Sequence, residues 1–227
     1  MLYGRLDQRE YGDSMKFKPL NHNLIWGLMY SNPVYIEVSG GKDSTLALLY
    51  VYDKINQLSQ YNNNLHILYI ETPLSHILNT LYIYYLGDKL GIPVIKLRNN
   101  YVFGKDLEYY KKLARTRKCM IEFKYKPLNN FVRRHRGIYV LGVRRYESKR
   151  RLRYKYKLIY DVKNKIYIYY PILYVDNNKR DKLLDYYLRK YKLGKNPCWF
   201  FKYNVKRSSG DCYPCLLTWR DKYENML

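Results

Sequence analysis

The chain has 227 residues, with 42 Lys and Arg against 19 Asp and Glu for a formal net charge of +23, and 30 tyrosines. That length fits one domain of ordinary size with a substantial core, and no apolar stretch nears the ~18 residues of a membrane span. The first residues, with Asp7, Arg9, Glu10 and Asp13, lack the apolar centre of a signal peptide, so a soluble, cytoplasmic protein is expected. Abundant Tyr, Lys, Asn and Ile fit a coding bias toward A/T-rich codons. Such a bias does not favour arginine, so the arginines point to a polyanionic partner.

Leu20, Leu24, Ile25, Leu28 and Met29 are spaced as a short amphipathic helix, so 1–33 reads as an N-terminal helical extension with a polar lead before Met15. A buried strand follows at 34–38, then a helix from Ser44 to about Gln57. The next strand is 65–70, ending at Glu71, Thr72 and Pro73. A helical run from Leu74 to Leu90 stops at Gly91 and leads to a short strand at 93–97. This alternation argues for a parallel sheet between helical layers. Residues 137–143 read as a fourth parallel strand that delivers Arg144 to the same sheet edge. Segments 158–161 and 166–170 alternate as a hairpin, 179–191 reads as a helix, and the last segment is loop-rich.

Ser39-Gly40-Gly41-Lys42-Asp43-Ser44 lies between the first strand and its helix. Adjacent glycines let the backbone turn its N–H groups toward an anion, and the helix N-terminus adds dipole and hydroxyl. An ordinary βα turn capped by Asp43 or Ser44 is the competing reading. A Walker A loop is excluded, because the required glycine position is Ile36 and Asp43 stands where Ser or Thr is needed. No G-x-G-x-x-G follows a strand. Basic residues concentrate at Arg115 to Lys126, at Arg133, Arg134 and Arg136, and from Arg144 to Arg153. Lys124, Arg133, Arg134 and Arg145 are the candidate nucleic-acid contacts, against a solvated basic face.

The hexapeptide matches the S-G-G-x-D-S signature of the PP-loop. Arg117-Lys118-Cys119 through Lys124, Pro127 and Leu128 resembles an R-x-C-t-x-x-x-K-x-x-P-L segment, and Gly142-Val143-Arg144-Arg145-Tyr146-Glu147-Ser148 resembles G-x-R-x-x-E-S. Tyr170-Pro171-Ile172-Leu173, Asn196-Pro197 and Cys212-Tyr213-Pro214-Cys215 continue the pattern in order. On these motifs, over roughly Val34 to Leu216, the chain resembles the phosphoadenosine phosphosulfate (PAPS) reductase-like branch of the PP-loop ATP pyrophosphatase superfamily. The resemblance implies an α/β three-layer sandwich with a mainly parallel twisted sheet, of the adenine nucleotide alpha hydrolase-like kind. The nucleotide-binding domain would span 34–175, and a helical, cysteine-containing segment, 176–227, would pack on it.

The resemblance also implies that Ser39, Gly40, Gly41, Lys42, Asp43 and Ser44 hold the phosphate end of ATP or a related adenine nucleotide with Mg²⁺. Thr72 would lie beside the nucleotide, and Arg144 would direct its guanidinium at the phosphates. Glu147 would orient Arg144 or cap the next turn, and Lys124 would meet a phosphate or solvent. Asp43, Lys42 and Arg144 are the catalytic candidates, and family members are often homodimers.

The four cysteines, Cys119, Cys198, Cys212 and Cys215, suit a four-cysteine iron–sulfur cluster or a structural zinc, with buried thiols as the bland alternative. The resemblance favours the cluster, and with it a small C-terminal metal-binding module. Sulfonucleotide reductases carry a nucleophilic cysteine on a C-terminal tail, whereas here none follows Cys215. The expected reaction is therefore ATP-dependent adenylation with pyrophosphate release, in sulfur transfer to tRNA or DNA. Sulfonucleotide reduction is the alternative, and a non-catalytic nucleic-acid-binding protein on the same scaffold is a third reading.

Overall fold

The structure, a computed structural model, describes residues 17–58, 64–116, 118–149 and 151–200. Its seven strands are β1 (Phe17–Leu20), β2 (Val34–Glu37), β3 (Leu65–Ile70), β4 (Val94–Leu97), β5 (Ile138–Leu141), β6 (Leu158–Asp161) and β7 (Ile166–Tyr169). They form one sheet in the order β1-β6-β7-β5-β2-β3-β4. The run from β7 to β4 is parallel throughout, while β6 is antiparallel to both β7 and β1. The hairpin read at 158–170 thus extends the main sheet.

The helices are α1 (Ile25–Ser31), α2 (Lys42–Gln57), α3 (Ile77–Leu90), α4 (Leu107–Arg115), α5 (Lys118–Met120), α6 (Lys126–Arg134) and α7 (Asn177–Lys190). Val34 and Ile36 of β2 enter a core shared with α1, α2, α3 and α7. Tyr35, between them, enters a second core with Leu128 and Val132 of α6. Alternate residues of one strand are therefore buried on opposite faces, as a parallel sheet covered by helices on both sides requires.

Three elements depart from the sequence reading. Phe17–Leu20 is an edge strand on β6, where Pro19 costs no central ladder bond. The helix begins only at Ile25, after Asn21 accepts the Asn23 N–H at 3.0 Å. Helix α3 starts at Ile77 rather than Leu74, because Thr72 and Ser75 close a turn and His76 Nδ1 accepts the Leu78 N–H at 3.2 Å. The third departure is the helical stretch from Lys118 to Arg134, interrupted by a π-turn at Ile121–Tyr125. Such π-turns recur at functional sites, and here Lys124 and Tyr125 line the crevice at the carboxyl ends of β2 and β5.

Candidate active site

The loop between β2 and α2 is fixed by its own hydroxyls and by two distant segments. Ser44 Oγ donates to the Gly41 carbonyl at 3.0 Å and accepts the Ser39 N–H at 3.1 Å. Gly40 has φ of +77°, and a Cβ there would fall 1.9 Å from Asn79 Oδ1, so only glycine fits. Asn79 Nδ2 donates to the Ser39 carbonyl at 2.7 Å. Asn196 Nδ2 reaches the Gly40 carbonyl at 2.9 Å and Asn79 Oδ1 at 2.7 Å, and Trp199 Nε1 meets the same carbonyl at 2.8 Å. Asn79 and Asn196 are fully enclosed, which makes these bonds costly to break.

On the open side, Gly142 presses its backbone against the first turn of α2. A Cβ at Gly142 would lie 2.6 Å from Ser44 Cα and 2.7 Å from the Asp43 carbonyl oxygen. The next residues bring Arg144 beneath the loop, 3% exposed, with Nη1 donating to Asn177 Oδ1 at 2.9 Å. Its Nε stands 2.8 Å from Asp43 Oδ1, an ion pair without hydrogen-bond alignment. Arg180 Nη1 approaches the same oxygen at 3.4 Å. Asp43 thus lies between two guanidiniums, at the wall of a cavity of about 330 Å³ also lined by Glu37, Lys42, Lys124, Glu147 and Arg151. That is within the size range of small-ligand sites.

The sequence model for the phosphoadenosine phosphosulfate reductase domain matches residues 33–203. The chain belongs to this family. Its loop is therefore a PP-loop of the adenine nucleotide alpha hydrolase-like superfamily. PAPS reductase from Candida auris, solved as a phosphate complex, shares the fold at a TM-score of 0.57 and 13% identity, over 83% of this chain and 85% of that one. The U34-tRNA thiolase of Methanococcus maripaludis, solved with its 4Fe-4S cluster, aligns at a TM-score of 0.50 and 17% identity, over 82% of this chain and 65% of that one. No curated protein sequence matches this one.

The structure brings Ser39, Gly41, Lys42, Asp43, Ser44, Lys124 and Glu147 of the PAPS reductase family motifs to one cavity. Glu147 pairs with Arg151 rather than with Arg144. Thr72 is buried at the end of β3, its hydroxyl 3.1 Å from that of Ser75, and does not line the cavity. Arg145 donates through Nε to the Leu152 carbonyl at 2.7 Å and so ties down its own loop. Arg133 and Arg134 are exposed at the far end of α6, which carries them about 13 Å along its axis from the cavity. The run of basic residues is thus divided between two ends of the sheet.

For Mg²⁺ the donor set fits: carboxylates of Asp43 and Glu37 with the Ser39 and Ser44 hydroxyls are the oxygens a hard cation takes. Cys119 is buried among Val102, Tyr110, Ala114 and Phe123. Cys198 Sγ lies 3.8 Å from His76 Nδ1, and burial pushes its thiol pKa up. Among the described residues no three His, Cys, Asp or Glu side chains gather to hold a metal. Cys212 and Cys215, and with them the expected metal-binding module, lie outside the described residues. No helix among these residues is long and apolar enough to cross a membrane.

Sequence reasoning missed Asn79, Asn177, Arg180, Asp181 and Trp199. Asn196 was visible only as part of an Asn-Pro element, and Arg180 was one basic residue among many.

Proposed function

We propose that the protein is an ATP-using PP-loop enzyme that adenylates an acceptor oxygen, releases pyrophosphate and so prepares a tRNA or DNA for sulfur substitution. The observation that carries this reading is Asp43 held between Arg144 and Arg180 on a rigid glycine loop facing the cavity. The acceptor oxygen attacks the α-phosphorus, the new P–O bond forms, and the bond to the β-phosphate oxygen breaks. Charge accumulates on the departing pyrophosphate, where backbone N–H groups and the lysine and arginine side chains of the cavity stabilise it. Mg²⁺, when held by Asp43 and Glu37, supplies further charge neutralisation on the phosphates. A sulfide-equivalent donor then attacks the carbon or phosphorus that bore the adenylated oxygen, and AMP leaves carrying that oxygen.

Two features support the nucleic-acid acceptor and the sulfur chemistry. The formal charge of +23 suits a polyanion, and the four cysteines suit an iron–sulfur cluster or zinc. Sulfonucleotide reduction is the second reading, favoured by the family match over residues 33–203. Among the described residues, however, no cysteine lines the cavity. Anaerobic incubation with labelled ATP, adenosine phosphosulfate and PAPS separates the readings. Pyrophosphate released from ATP, and lost in Asp43→Ala, is the expected result. Sulfite released from a sulfonucleotide with a thiol donor selects the second reading. Nucleic-acid binding without turnover of any nucleotide overturns both.

A further inference from the structure

Helix α7 is wired to the PP-loop side chain by side chain. Asp176 caps it, accepting the Lys179 N–H at 2.8 Å. Within the first turns, Asn177 receives Arg144, Arg180 reaches Asp43, and Asp181 Oδ1 lies 3.5 Å from Lys42 Nζ. Arg180 itself is held as a fork: Nε donates to Asp181 Oδ1 at 2.9 Å and Nη2 to Asp181 Oδ2 at 3.1 Å. Burial opposes its charge, but Asp181 and Asp43 more than offset this and raise its pKa. The result is an oriented guanidinium, 18% exposed, at the cavity wall.

With Nε and Nη2 on Asp181, Nη1 is the group that meets Asp43, a residue of the cavity wall. Its present contact with Asp43, 3.4 Å, is long for a charged pair. Asp43 also has Arg144 at 2.8 Å, so Nη1 of Arg180 can pass from Asp43 to an incoming oxyanion while Nε and Nη2 stay on Asp181. A second oxyanion entering beside Asp43 would gain a full charged hydrogen bond there with little ordering cost.

We infer that Arg180 is a phosphate-binding residue that grips the polyphosphate end of the nucleotide, with Asp181 as its positioning residue. The inference rests on the reading of the loop as the nucleotide site. It assigns α7 a share in substrate recognition, where otherwise the helix would only brace the fold.

The test is calorimetric titration of the whole protein with inorganic pyrophosphate, ATP and AMP, in the wild type, Arg180→Ala and Arg180→Lys. Arg180→Ala is expected to weaken pyrophosphate and ATP by about tenfold to a hundredfold, the loss of one charged hydrogen-bonding partner, and AMP by less than about twofold. Arg180→Lys keeps the charge without the fork and should retain more pyrophosphate affinity than Arg180→Ala. Equal loss for all three ligands in both variants assigns Arg180 a structural role and overturns the proposal, as does unchanged affinity. Wild-type protein that binds neither ATP nor pyrophosphate overturns the reading of the loop itself, and a failure confined to the variants leaves that reading standing.

Discussion

Replacing Gly142 by alanine tests whether the end of β5 and the start of α2 are in obligatory backbone contact. The added methyl would meet Ser44 Cα at 2.6 Å, Asp43 O at 2.7 Å and Ser44 N at 2.7 Å, and must move out to about 3.4 Å to reach ordinary contact. All three neighbours are backbone, so no side chain can swing aside. Either β5 or the helix N-terminus shifts by the better part of an ångström, and Asp43 moves with it. Overpacking of this kind costs about 1–3 kcal/mol, and displaced phosphate donors weaken nucleotide binding in addition. Urea denaturation should show a lower midpoint at unchanged slope, and calorimetry a weaker ATP affinity. Gly27→Ala in α1 is the control, because a Cβ there meets nothing within 4 Å and should stabilise by about 0.5–1 kcal/mol. A Gly142→Ala protein with wild-type midpoint and wild-type ATP affinity would refute the contact.

Asn196→Ala removes bonds to the Gly40 carbonyl and to Asn79; with Asn196 fully buried, denaturation should report a loss of about 1–3 kcal/mol. Asp53 receives Lys190, Tyr191 at 2.5 Å and Gln57 at 2.6 Å between α2 and α7. Burial alone would raise its carboxyl, but the Lys190 and Tyr191 bonds and the Lys190 and Lys54 charges bring it below its ordinary 3.8. The resulting stability is full above that value and is lost as pH falls through the lower folded one. Melting curves of Asp53→Asn should therefore show a weaker acid dependence than wild type. If Arg133 and Arg134 contact nucleic-acid phosphates, charge reversal of both should lower the slope of log affinity against log salt by about 2; an unchanged slope removes them from the interface.

The core strands and helices were legible because burial on both sheet faces leaves continuous apolar runs, as at Ile138 to Leu141, and because Gly91 stops α3 in the left-handed conformation. The edge strand at Phe17 was not, since its partner lies at Asp161, far along the chain. The PP-loop declared itself locally. Its braces did not: Asn79, Asn196 and Trp199 carry no spacing that marks them until α3 and the turn after α7 fold against the loop. Arg133 and Arg134 stand near Lys124 in sequence but are carried away from it by α6. Helix α6 leads back to the start of β5, so Arg133 and Arg134 end near the amino end of that strand, away from the cavity at its carboxyl end.

The bond from Asn196 to Gly40 spans 156 residues. At synthesis rates of roughly 5–20 residues per second, an interval on the order of 10–30 s separates the emergence of the loop from that of its last clamp. During that time the nascent chain carries a glycine turn that Ser44 and Asn79 can brace but Asn196 and Trp199 cannot. The brace on the loop is thus completed late on the ribosome, after the sheet, and a chain truncated before Asn196 would display the signature hexapeptide without its full set of clamps.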